Sequence, residues 1–147
     1  MYTALLYLHS YNRWLVLASA AAALVLSWRA FLARRGYGPA ERTSSRVFMR
    51  LLDVQVLLGL GLYALSPIVR IALGDLGAAM AVKELRFFGV EHITGMVLAL
   101  VLANVGAVRV RRAESDALRL RRAVFWQTAT VLVIAVSIPW WRPWVRI

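Results

Sequence analysis

The sequence predicts an all-α integral membrane protein, a four-helix bundle of 147 residues with both termini on the outer side. Three observations predict it. Residues of the set AVILMFWYC make up 61% of the chain and the mean hydropathy is +0.67, whereas a soluble domain carries about 45–50% apolar residues even with glycine counted. These residues gather into four stretches of spanning length, about 3–32, 47–70, 85–108 and 119–141, each sufficient for roughly 30 Å of hydrocarbon. The charges, 18 Lys+Arg against 7 Asp+Glu for a net of +11, fall between those stretches. There they read as topology signals and not as a nucleic-acid footprint.

The first stretch, MYTALLYLHSYNRWLVLASAAAALVLSWRA, has its positive charges after the apolar run. It therefore lacks the basic start of a signal peptide and is expected to be a retained first span. The connection that follows carries Arg34, Arg35, Arg42 and Arg46, flanked by Arg29 and Arg50, and GYGP at 36–39 breaks the helix. In the second stretch Gly59 and Gly61 allow close helix packing, and Ser66-Pro67 predicts a kink near its outer end. The middle connection, about 71–84, contains GDLGAAMAV and is too short for a domain boundary, so 1–147 is one domain. The third connection repeats the arginine run with Arg109, Arg111, Arg112, Arg119, Arg121 and Arg122. The other side holds Arg13, Arg70, Lys83, Arg86, Arg142 and Arg146, half as many. By the positive-inside rule both arginine-rich connections are cytoplasmic and the protein is multi-pass in a bacterial cytoplasmic membrane. The closing WWRPW suits an interfacial aromatic anchor.

Absence of cysteine removes disulfides, thiolate metal ligands, iron–sulfur clusters and thioether-attached haem from consideration. Two histidines remain, His9 in LHSYNRW and His92 in GVEHITGM, both inside expected spans. Ionisable residues are rare there and suggest function. His9 precedes Arg29 by 20 residues and His92 precedes Arg109 by 17, placing them about 30 and 25 Å from the cytoplasmic face at the helical rise. Two imidazoles at one depth on different helices can approach a haem b iron from opposite sides. Arg13 and Arg86 are the candidate propionate partners. Gly89 and Gly95 remove bulk on the face of His92, Met96 can line a haem edge, and Tyr7, Trp14, Phe87 and Phe88 supply flat walls. Glu91 discriminates between readings: buried beside an axial histidine it favours ferric iron, whereas in a cofactor-free scaffold it pairs with Arg86 or Arg13. A non-haem metal held by His9, His92 and Glu91 or Glu84 is a sparser alternative without an HExxH pair, and ligation of a chlorophyll magnesium needs only one imidazole.

A second polar group comprises Asp53, Gln55, Asn104 and Gln127, each within five residues of Arg50, Arg109 or Arg122. Read as one inner-leaflet layer, it is either a proton or quinone-head site or interhelical hydrogen bonding.

The pieces LHSYNRW, DVQVLLGLGLYALSP, RFFGVEHITGM and SIPW occur in order over nearly the whole chain. Together they resemble a family of small four-helix membrane proteins, common in Bacteroidota and relatives, that carry the label cytochrome b. The resemblance implies a haem-binding or redox-associated role for His9 and His92. Some members have a histidine near the position of Asp53, so this chain departs from them there. The expected function is electron transfer, with quinol as a partner and membership of a larger redox complex or a homo-oligomer. The alternative is a cofactor-free accessory subunit.

Overall fold

The computed structural model describes residues 1–142, and every regular element among them is helical. Arg146 and the last part of WWRPW, with the topology readings placed on them, lie outside the described residues. Helix α1 runs Tyr2–Leu32, uninterrupted because no glycine or proline occurs in it. Its buried stripe of Ala20, Ala23, Ser27 and Ala30 brings neighbouring backbones close. It ends with Arg34 at φ 52°, while Arg35 N–H donates to the Ala30 carbonyl, a left-handed cap of the kind usually filled by glycine.

Helix α2 spans Pro39–Leu65, beginning two turns before the expected start at 47. Gly38 is the cap, Pro39 takes the first turn, and Glu41 accepts the Gly38 N–H at 2.9 Å. The capping chemistry thus sets the helix start, and the polar turns that precede the apolar run are helical too. At the other end Ser66 is extended (ψ 125°) and its hydroxyl caps the next helix, so Ser66-Pro67 is a full break and not a kink. The middle connection is three short helices: α3 (Pro67–Gly74), α4 (Leu76–Ala81, capped by Asp75) and α5 (Lys83–Arg86). A π-helical turn, Phe87–Glu91, joins α5 to α6 (His92–Arg111). Helix α7 runs Asp116–Ser137, started by the Ser115 cap.

Among the described residues three helical stretches are long and apolar enough to cross a membrane: Tyr2–Leu32, Pro39–Leu65 and Lys83–Arg111. Helix α7 packs along α6 as the fourth long element, and α1 packs along α2. Lighter α1/α7 and α2/α6 interfaces close the ring, which leaves α1 and α6 on a diagonal. Val16, Leu52, Met96, Ala99 and Ile134 meet inside it. Large apolar residues such as Leu57, Leu132 and Val136 face outward, as contact with lipid requires.

Candidate functional site: the histidine pair

The diagonal placement of α1 and α6 turns both histidines toward the bundle interior, where their ring centroids lie 6.3 Å apart with planes at 80°. They flank a cavity of about 170 Å³, also lined by Leu6, Arg13, Gln55, Gly59 and Met96. Gly59 lets His9 pack close to α2, since a Cβ there would stand 3.2 Å from His9 Cε1.

The hydrogen bonds around His9 can be oriented from one end. Asn12 Nδ2 donates to the Leu51 carbonyl at 3.1 Å and to Gln55 Oε1 at 2.8 Å. A carbonyl only accepts, which fixes the Asn12 amide and through it the Gln55 amide. Gln55 Nε2 then donates to the His9 carbonyl at 3.1 Å and faces His9 Nε2 at 3.2 Å. Nε2 is accordingly the acceptor, and the proton belongs on Nδ1, which is buried without a partner. His92 carries its proton on the same ring position, because its Nδ1 lies 2.7 Å from the Ser137 carbonyl and must donate to it. That leaves His92 Nε2 as the lone-pair nitrogen, the arrangement found in metal-ligating histidines whose other nitrogen is held by a carbonyl.

The π-turn presents His92 as it does. Phe87, at its start, stacks on the imidazole with centroids 5.6 Å apart and planes at 30°. Tyr63 Oη donates to the Gly89 carbonyl at 2.8 Å, satisfying one backbone acceptor within the π-turn. Phe88 lines the cavity. Tyr7 and Trp14 are 36% and 37% exposed and do not line the cavity.

Several expected roles change. Arg13 lines the cavity, but Arg86 does not. Arg86 Nε donates to Glu91 at 2.7 Å and its Nη1 to the Met80 carbonyl at 2.9 Å. Glu91 is therefore drawn outward by Arg86, the pairing expected of a scaffold. Glu84 is bound by Arg142, which itself lines the cavity mouth. Both carboxylates of the non-haem reading are thus engaged elsewhere, and no group of three or more metal-ligating side chains gathers among the described residues. Gly89 and Gly95 leave no room for a macrocycle. A Cβ on Gly89 would lie 2.7 Å from Ala72 Cβ, and one on Gly95 would collide with the Ser137 side chain. Both serve close helix contacts.

The second polar group does not assemble. Gln55 belongs to the histidine layer. Asp53 lies 3.9 Å from Arg50, Asn104 bonds back to the Leu100 carbonyl of its own helix, and Gln127 donates to Ser45 at 2.6 Å. Gln55 was misplaced because Arg50 stood as a marker of the helix end. It is 12 positions from the Gly38 cap, with its side chain 87% exposed.

Asn12, Ser137 and Gly59 complete the site without having been singled out for it. The signal for Asn12 was present, since it follows His9 by three residues and shares its helix face. Ser137 acts through its carbonyl, which no side-chain pattern reveals. No family model matches this chain, and neither does any curated protein or solved structure.

The donor set suits a tetrapyrrole iron, because two iron–nitrogen bonds of about 2 Å plus the half-widths of two imidazoles make a centroid separation near 6 Å. The volume does not yet suit it, as about 170 Å³ is below the roughly 300–1,000 Å³ of ligand pockets. A haem here would need Gln55 to release His9 Nε2 and the cavity to widen.

Proposed function

We propose that the chain is a four-span haem b electron-transfer protein of a bacterial cytoplasmic membrane, with both termini outside. His9 and His92 would hold the haem. The observation that carries this reading is the convergence of the only two histidines of the sequence from diagonal helices to 6.3 Å. Bundle cores are where cofactor sites are built from facing helices. The resemblance of the histidine motifs to proteins labelled cytochrome b points the same way. A haem held there by two imidazoles would supply reversible one-electron transfer. Ser137 orients the His92 ring, Phe87 stacks on it, and Arg13 supplies positive charge at the cavity for propionates. Quinol and a larger redox complex, or a second copy, are the partners this role requires.

A cofactor-free accessory subunit is the second reading, favoured by the Glu91–Arg86 pair and by the hydrogen bonds already made by both imidazoles. One experiment separates the two: reduced-minus-oxidised spectra and pyridine haemochrome quantitation of the purified full chain. The haem reading expects near-stoichiometric low-spin haem, lost in His9→Ala and in His92→Ala and kept in Asp53→Asn. A colourless protein that stays colourless when haem is added supports the scaffold and refutes the haem reading, as does haem retained in both histidine variants.

A further inference from the structure

A second cavity, of about 410 Å³, opens between α2, α6 and α7 at the arginine-rich end of the bundle. It owes nothing to the histidine layer. Its volume lies within the range of small-molecule sites, and its walls divide by chemistry. Ala103, Ala107, Val110 and Trp126 make an apolar slot. The slot exists because α6 carries small residues along this face. Gly106 lets the Trp126 side chain lie directly on the α6 backbone, where an added Cβ would stand 2.5 Å from Trp126 Cβ.

Charge collects on the other part of the wall. Arg42, Arg46, Arg111 and Arg119 line the cavity. Arg119 is held by Asp116 at 2.8 Å, whereas no carboxylate pairs with Arg42, Arg46 or Arg111 among the described residues. Gln127 lines the same wall and donates to Ser45, whose own hydroxyl is committed to the Glu41 carbonyl at 2.6 Å. That leaves Gln127 Oε1 buried and without a hydrogen-bond partner.

We infer that this cavity is a site for an anionic phospholipid of the leaflet at the arginine-rich end. The headgroup phosphate sits among Arg42, Arg46 and Arg111, and the first part of an acyl chain fills the slot against Trp126. Guanidinium groups bind phosphate strongly and with directional geometry. Basic pockets between spanning helices recognise acidic headgroups in this way. The apolar slot favours a lipid over a water-soluble phosphate ester, which would leave that surface uncovered.

The test uses the full chain in vesicles containing either brominated phosphatidylglycerol or brominated phosphatidylcholine, with tryptophan quenching as the readout. A built site gives a preference for phosphatidylglycerol of about tenfold or more, falling below about twofold in Arg46→Gln/Arg111→Gln, on the scale of a basic residue at an anionic surface. The double variant Arg29→Gln/Arg121→Gln removes the same charge from outside the cavity and keeps the preference. Ala107→Phe fills the slot without altering charge and loses it, and Trp126→Phe removes the selective quenching component. Equal losses in the two arginine pairs would show diffuse attraction and overturn the proposal. So would an undiminished preference in Ala107→Phe, or displacement of the lipid by added inorganic phosphate.

Discussion

Replacing Gln55 by leucine removes three hydrogen bonds at once: the one accepted from Asn12 and the two given to the carbonyl and ring of His9. Gln55 is 6% exposed, and leucine has a similar volume, so the change is a loss of polar contacts with little cavity formed. Side-chain hydrogen bonds between membrane helices average about 0.6 kcal/mol and reach about 1.7, so three of them predict a destabilisation of about 2 kcal/mol. The assay is unfolding of the apoprotein in mixed micelles by titrated sodium dodecyl sulfate, followed by circular dichroism. A double-mutant cycle with Asn12→Ala isolates the Asn12–Gln55 bond and should give a coupling of about 0.6–1.7 kcal/mol. In the haem reading Gln55→Leu also keeps its low-spin spectrum, since Gln55 competes with iron for His9 Nε2. Zero coupling, or unchanged stability in Gln55→Leu, would refute the orientation assigned to this network and with it the tautomer assigned to His9.

Three further substitutions probe packing and backbone. Gly95→Ala drives a methyl group into Ser137 and is expected to destabilise by about 1–3 kcal/mol, with Ser137→Gly restoring most of the loss in the same micelle titration. Tyr63→Phe leaves the Gly89 carbonyl of the π-turn without its donor. It should lower stability by about 1 kcal/mol and speed amide hydrogen exchange in 87–92 before exchange elsewhere in α6. Arg34→Gly relieves a side chain in the left-handed region at φ 52° and should raise stability by about 1 kcal/mol. A decrease there would mean that the arginine side chain contributes more than its backbone costs.

The apolar stretches and the common depth of His9 and His92 were legible because hydropathy and helical rise are properties of one segment at a time. Helix ends were less so, since α2 begins where Gly38, Pro39 and Glu41 cap it and not where apolar residues begin. Gln55 illustrates a related limit. A long arginine side chain keeps its charge in a polar environment far from a helix terminus, so Arg50 gave a false level for everything counted from it. The roles of Gly89 and Gly95 depended on which helix lies opposite. Ala72 and Ser137 occupy the space that the glycines leave, a pairwise property that no single stretch encodes. Side-chain direction at Glu91 was equally hidden, because Arg86 reaches it across five residues of π-turn.

The five residues Phe87–Glu91 wind wider than the α-helix they interrupt, and such a turn amounts to one extra residue threaded into a regular ladder. Because the wider turn rotates the chain less per residue, the extra residue leaves Lys83–Arg86 nearly in phase with α6. A deletion that closed the turn would keep that face but remove one of the positions that set Phe87 on the His92 ring and the Gly89 carbonyl on Tyr63. The segment is thus constrained in composition as well as in length: Gly89 has no room for a Cβ beside Ala72, and Phe87 is the ring laid on His92.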